Sequence, residues 1–137
     1  MEHPESIART LLHKWLEAVQ RRDPAAISAL YHPEAQLWGT VAARLYRSPA
    51  DIRDYFERFL DHSRMEATLL DLDLSCSNGM VLGAGAYQFR WQDHGDAGDA
   101  DADVVETRAR FTFVFGERDG NWSILQHHSS VWVFRGL

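Results

Sequence analysis

Between residues 5 and 22 the apolar side chains Ile7, Leu11, Leu12, Trp15, Leu16 and Val19 recur at helical spacing. Arg9, His13, Lys14, Glu17 and Arg21 fall largely off that stripe, so the segment predicts an amphipathic helix. Asp23-Pro24 then restarts the chain, because aspartate caps a helix N-terminus and proline is best tolerated at the first helical position. The run AAISALY reads as a short second helix stopped by His32-Pro33, and AQLWGTV reads as a strand. The clearest helix start is SPADIRDYFERFLDH, with Ser48 as N-cap, Pro49 at the first position and Asp51 near the positive helix end. Ile52, Tyr55, Phe56 and Phe59 form its expected buried stripe.

From Glu66 onward the period changes to two. Leu70, Leu72, Leu74 and Cys76 alternate with Asp71, Asp73 and Ser75, which predicts a half-buried strand with Cys76 as a small buried hydrophobe. Asn78-Gly79 is a strong hairpin signal. The next strand carries Tyr87, Phe89 and Trp91 on one face and Gln88 and Arg90 on the other. After a polar loop, a long strand over 104–115 gives Phe111, Phe113 and Phe115 one parity; the turn RDGNW leads into a last strand over 122–134. Helix, helix, strand, helix and four antiparallel strands predict an α+β domain with its helices on one face of a curved sheet. The aromatic faces are expected to form the concave side. With no internal repeat and no linker, residues 1–137 read as one domain.

Composition narrows the picture only in part. A chain of 137 residues with 45% hydrophobic and 25% charged residues is one ordinary soluble globular domain. Aromatics at 12% fit either a dense core or a lined cavity. The net charge of −6 leaves no basic stripe to displace counterions, which argues against a nucleic-acid partner. One cysteine excludes an intrachain disulfide, and MEHPESIART has no basic n-region or apolar core, so a cytoplasmic location is expected. No apolar run approaches a membrane span, and no membrane partner is expected.

The run ILQHHSSVW looks like chemistry. On a strand, however, neighbouring side chains point to opposite faces, so His127 and Ser129 share one face and His128 and Ser130 the other. The two histidines make a poor chelate for one metal, and no further ligands stand at zinc-like spacing. In HGDAGDADADVVE the spacing of Asp99, Asp101 and Asp103 copies the start of a calcium loop, but Val104 stands where glycine is needed. An acidic hairpin loop is expected there, with no metal and no cofactor.

LYHPEAQLWGTV after a short helix, SPADIRDYFERFL, and RARFTFVFGERDGNWSILQHHSS, in this order, resemble the nuclear-transport-factor-two-like superfamily of cone-shaped, cystatin-like α+β domains. The resemblance runs from Ile7 to Ser130. Within it, the chain is most similar to the SnoaL-like group that holds the association domain of calcium/calmodulin-dependent kinase two and the SgcJ/EcaC-like bacterial proteins. The resemblance implies three N-terminal helices on a curved, mainly antiparallel sheet, an internal pocket, and a homodimer or larger homo-oligomer joined through the outer sheet face. Members include isomerases, dehydratases, cyclases, binding proteins and assembly domains, so the fold leaves the function open.

By the same resemblance, His127 and Ser129 belong to the concave side, an assignment that a bulge in the last strand would reverse. There His127 either bonds tyrosine or backbone as a satisfied interior histidine, or touches a ligand. Arg110, Thr112, His128 and Ser130 match positions that the wider group often keeps, and imply a structural polar face tying strands or subunits together. The kinase association domain carries pocket arginines where this chain has Phe89, Phe113 and Ser129, which argues against an anionic ligand. Related isomerases and cyclases use an inward carboxylate, whereas here Glu106 has the opposite parity and Glu34 sits at a helix–strand junction. His127 is then the one candidate acid/base.

The leading expectation is a cone that binds a small, largely apolar molecule in a mostly aromatic pocket lined by Trp38, Tyr55, Tyr87, Phe89, Phe111, Phe113, His127 and Ser129. Trp15, Tyr31 and Phe59 also stand near it, with ordinary core packing expected of Trp15 and Phe59. Tyr46 offers a further polar tip, and Arg44 reaches either the pocket mouth or solvent. The alternatives are an isomerase, dehydratase or cyclase using His127, and an association module using Trp132, Phe134 and the outer sheet face.

Overall fold

The first apolar stripe becomes α1 (Pro4–Gln20) in a computed structural model, which describes residues 3–93 and 103–133. Its Leu12, Trp15 and Val19 are buried against the sheet. Asp23 caps α2 (Pro24–Ser28), its carboxylate accepting the Ala26 N–H at 3.1 Å. α2 is shorter than its sequence pattern suggests, and Tyr31 opens a strand instead of closing a helix. The reason is tertiary. Ile124 donates its N–H to the Leu30 carbonyl at 2.8 Å, pulling the chain into the sheet at once as β1 (Tyr31–Trp38). Pro33 is tolerated because β1 is an edge strand. The chain leaves the sheet after Trp38, so Gly39, Thr40 and Val41 form a loop rather than the end of a strand. Ser48 caps α3 (Pro49–Phe59) as its sequence predicts, accepting the Asp51 N–H at 3.0 Å.

The remaining strands are β2 (Arg64–Ser77), β3 (Met80–Gln92), β4 (Val104–Arg118) and β5 (Asn121–Val131). The five strands form one sheet in the order β1-β5-β4-β3-β2, parallel only between β1 and β5. Asn78 (φ 50°) and Gly79 (φ 77°) turn the β2–β3 hairpin, and Asp119 (φ 54°) and Gly120 (φ 81°) turn β4–β5. Two left-handed residues in succession suit the right-handed twist of a hairpin.

Bulges change which side chains face inward. In β2 the register passes from Leu69↔Tyr87 to Asp71↔Ala86, leaving Leu70 unpaired. Leu70 therefore leaves the face of Leu72 and Leu74 and is exposed, contrary to simple alternation. Cys76 is exposed as well, so it is not the buried hydrophobe its sequence suggests. Gly85 faces the bulge, where an added Cβ would collide with the Asp71 carbonyl. In β5 the extra residue is Leu125, between Ile124↔Phe115 and Gln126↔Val114. The core lies between the helices and a concave sheet face built from Tyr87, Phe89, Phe111, Phe113 and Phe115. Among the described residues, no helix is long and apolar enough to cross a membrane.

Candidate functional site

β5 resumes its alternation after Leu125, and His127 and Ser129 then lie opposite Phe113 and Phe111 on the concave face. They are 2% and 3% exposed, the two buried polar residues among the described residues. Four other elements close around the imidazole. The Tyr31 hydroxyl of β1 lies 2.7 Å from Nδ1, and the Tyr87 hydroxyl of β3 lies 3.0 Å from Nε2. Trp15 of α1 donates its indole N–H to the Tyr31 oxygen at 3.0 Å. Phe113 of β4 stacks on the imidazole with ring centroids 3.8 Å apart and planes at 14°. Trp15 in turn lies nearly parallel to Tyr87, 5.4 Å away. The last-strand bulge therefore leaves His127 facing in, bonded to tyrosine at both nitrogens.

The polar chain continues toward the loop after β1. The Tyr87 hydroxyl also meets the Ser129 and Thr40 hydroxyls, which lie 2.5 Å from each other. Val41 donates its N–H to the Tyr55 hydroxyl at 3.3 Å, and Leu37 and Tyr46 exchange backbone bonds of 2.9 and 2.8 Å, so the loop is tied down at both ends. Gly39 is required by this closure, since a Cβ there would overlap the Tyr55 ring. Thr40, Ser129, Tyr55 and Tyr87 line a void in which a water-sized sphere has about 10 Å³ to occupy, close to the room needed by one water molecule.

The interior is electrically neutral. Burial, helped by the adjacent His128, pushes the His127 pKa down to about 3. Burial raises Tyr31 and Tyr87 well above the usual phenol range and Tyr55 to about 12. Arg44 stays outside, forming hydrogen bonds of 2.8 and 3.0 Å to Asp51 with its guanidinium 3.9 Å above the Tyr46 ring. That pairing holds the Asp51 carboxyl below its ordinary value. Glu34 is exposed and Glu106 faces Arg90 at 3.7 Å, so neither carboxylate reaches the concave side. The site thus offers neutral hydrogen-bonding groups on an aromatic floor.

Of the expected pocket residues, Tyr55, Tyr87, Phe89, His127 and Ser129 meet at the void, while Phe111 and Phe113 pack behind Tyr87 and His127. Trp38 does not belong there. β1 runs parallel to β5 with Leu37↔His127 and Trp38↔His128, so Leu37 takes the inward position and Trp38 is 43% exposed on the outer face. Trp15 does more than fill the core, because its N–H feeds the polar chain. Thr40 carries no sequence signal, since it lies in a stretch that reads as strand.

Arg110↔Ser130 and Thr112↔His128 stand opposite one another on the outer face. That face holds a groove of about 610 Å³ lined by Leu70, Asp71, Asp73, Arg108, Arg110 and Trp132. It is larger than the internal void but lies on the other side of the sheet. Among the described residues no group of three or more His, Cys, Asp or Glu side chains gathers as a metal site. Asp99, Asp101 and Phe134 lie outside the described residues.

Comparison with known structures gives one assigned as a calcium/calmodulin-dependent protein kinase II association domain, from Xanthomonas campestris. It shares 27% identity, covers 96% of this chain and 89% of its own, and superposes with a TM-score of 0.80. An NTF2-like protein from Streptomyces avermitilis assigned as a dehydratase has 15% identity, coverage of 96% and 100%, and a TM-score of 0.81. Hexachlorocyclohexane dehydrochlorinase LinA-type3 from Novosphingobium barchaimii has 16% identity, coverage of 98% and 92%, and a TM-score of 0.74. These last two share the fold with this chain. Comparison with curated proteins returns no match. The model of the SnoaL-like domain matches residues 8–133, nearly the whole chain, and with this cone-shaped fold the protein belongs to the SnoaL-like domain family.

Proposed function

We propose that the cone binds a small, neutral, largely apolar molecule beneath the loop formed by residues 39–45, with His127, Ser129, Tyr55 and Tyr87 orienting it. The observation that carries this reading is the hydroxyl–imidazole chain running from the core to the loop-covered void. Polar groups buried in an aromatic core are costly unless each finds a partner, and an apolar core would avoid that cost. A polar chain that leads to a covered void fits ligand orientation better than packing alone. Because the void holds about one water, entry requires Thr40 to leave Ser129 and Tyr55 to leave Val41. The dehydrochlorinase of the same fold handles hexachlorocyclohexane, a small apolar molecule, which is in keeping with this class of ligand.

An acid/base role for His127 is less well supported. Its conjugate acid has a pKa of about 3 and both nitrogens are occupied, so it is a weak base for proton abstraction near neutral pH.

The second part of the reading is association into a homodimer or larger homo-oligomer through the outer sheet face, in the cytoplasm. The groove there sets Arg108 and Arg110 against Asp71 and Asp73 beside exposed Leu70 and Trp132. Both charge signs within one patch allow it to complement itself about a two-fold axis. The kinase association domain with similar structure is consistent with such a role.

The test is an NMR titration of isotopically labelled protein with cyclohexanone. Saturable shifts at Thr40, His127 and Ser129 are expected. No shifts, or shifts confined to the outer face around Arg108 and Arg110, would remove the internal site.

A further inference from the structure

The donors and acceptors along the buried chain can be counted, and the count fixes its direction. An indole N–H only donates, so Trp15 must give its proton to the Tyr31 oxygen. The Tyr31 hydroxyl has one further partner among the described residues, His127 Nδ1 at 2.7 Å. If Nδ1 carried the imidazole proton, Tyr31 would accept twice and its own proton would be buried without an acceptor. If Nδ1 is bare, Tyr31 donates to it and every proton is used. The imidazole proton then sits on Nε2 and is given to the Tyr87 oxygen, 3.0 Å away. The Tyr87 proton is in turn free for the Ser129 and Thr40 hydroxyls.

The same logic reaches the void. A Ser129 oxygen that accepts from Tyr87 directs its own proton onward, toward Thr40 Oγ1 at 2.5 Å. When the loop lifts and Thr40 departs, that proton faces whatever takes its place. With the other tautomer, Tyr87 would donate to Nε2, Ser129 would donate back to Tyr87, and lone pairs would face the ligand. The tautomer of a buried histidine therefore decides the polarity of the site. Among the described residues that line the void there is no Lys or Arg to hold an anion, and Arg44 is engaged by Asp51 on the outside.

We infer that Trp15 is a positioning residue that holds His127 as its Nε2–H tautomer, and that Ser129 consequently offers an O–H donor to an uncharged acceptor oxygen such as a ketone or ester carbonyl. This rests on the binding reading above for its ligand class, but not for its tautomer.

The two halves are read separately. Long-range proton–nitrogen correlation of the His127 ring in labelled wild-type protein should find Nε2 protonated and Nδ1 bare at neutral pH. A protonated Nδ1 overturns the proposal without reference to any ligand. Trp15→Phe should let both tautomers coexist, and a pure Nε2–H form in that variant would remove Trp15 from its role. Should Trp15→Phe fail to fold, Tyr31→Phe interrupts the same chain with its ring retained and carries the same expectation. For the ligand class, cyclohexanone should bind about tenfold more tightly than its hydrocarbon isostere methylenecyclohexane, a preference that Ser129→Ala abolishes. Equal affinities sink the ligand class alone. If neither probe binds, the ligand class falls together with the binding reading, while the ring spectrum still decides the tautomer.

Discussion

Replacing His127 by glutamine should make the protein less sensitive to acid. Glutamine ends in one acceptor and one donor, so it can take the proton of Tyr31 and give one to Tyr87. It loses the stack on Phe113, a cost that does not vary with pH, and it loses the titration. In the folded protein burial holds His127 neutral down to a pKa of about 3, whereas an unfolded histidine titrates near 6.5. Below about pH 6.5 the unfolded chain binds a proton that the native chain refuses, so stability falls as pH falls until the folded pKa is reached. Each pH unit in that window costs up to about 1.4 kcal/mol, and the whole window of three to four units costs roughly 4–5 kcal/mol. That is comparable to the entire stability of a small domain, about 5–15 kcal/mol. The figure is an upper bound, because local opening admits water before the full penalty is met.

The neighbours of the imidazole leave the effect uncompensated. Trp15, Tyr31, Tyr87 and Phe113 surround it from four elements, and none supplies a carboxylate that would stabilise the cation. Urea unfolding of wild type and His127→Gln, followed by circular dichroism between about pH 7 and 4, reads the difference directly. Carboxylates titrate in both proteins and cancel in the comparison. The wild type should lose stability faster, by about 1 kcal/mol per pH unit between roughly pH 6 and 4. Parallel curves would show that His127 is not held neutral by the fold, and the reasoning about its environment would be wrong.

Tyr31→Phe should cost about 2 kcal/mol, because it strands the Trp15 N–H and His127 Nδ1 without their shared partner; a loss under about 0.5 kcal/mol in denaturant unfolding would contradict the bonding described. Gly39→Ala should push the Tyr55 ring off the loop, and hydrogen exchange should find the Val41 amide faster while the core strands stay protected. Unchanged protection at Val41 would mean that Tyr55 is not what holds the loop. Arg110→Glu combined with Trp132→Ala should shift the protein toward monomer in light scattering, since it puts a like charge beside Asp71 and Asp73 and removes an exposed aromatic anchor. A wild type that is already monomeric at micromolar concentration would dispose of the outer-face interface.

What was legible in the sequence is what depends on short-range chemistry. Ser48 and Asp23 marked helix starts because a side-chain oxygen three residues before an amide can satisfy it locally. Asn78-Gly79 marked a turn because its backbone tolerates left-handed geometry. His127 was expected on the concave side only through the family resemblance, and in the structure it stands opposite Phe113 on that face although the strand is bulged. Counting by twos from Ile124, another inward residue, would have turned His127 outward, because Leu125 adds a step. The errors have the same physical origin. Leu70 and Cys76 were misplaced by an unseen bulge and an exposed strand end, and Trp38 by a parallel register that only the partner strand sets. Thr40 was invisible because its role comes from a loop folding back over Ser129, a contact between residues far apart in the chain.

The bulge that complicates β5 is also what builds the site. Between Ile124 and Gln126, β5 is irregular against β4 on one side, and on the other side β1 advances from Tyr31 to Gln36 over the same stretch. The β1 residues between them, His32, Pro33, Glu34 and Ala35, fall within that register shift, and Ala35 is buried in the core. Pro33 has no N–H to contribute to a ladder, so the register shift forgoes no donor at that position. Its effect is to let one edge strand meet β5 in two places. Tyr31 stands beside Ile124 and sends its hydroxyl to His127 Nδ1, while Leu37 stands beside His127 itself and closes the core next to it. A regular β1 would keep strict step with β5 and would not bring both residues to one imidazole. His32-Pro33, which lies inside β1 rather than ending a helix, is therefore part of the slack that delivers Tyr31 to the buried chain. Bulges gather where a side chain must be re-aimed, and here irregularities in the pairing of β5 with both neighbouring strands aim groups at the same histidine.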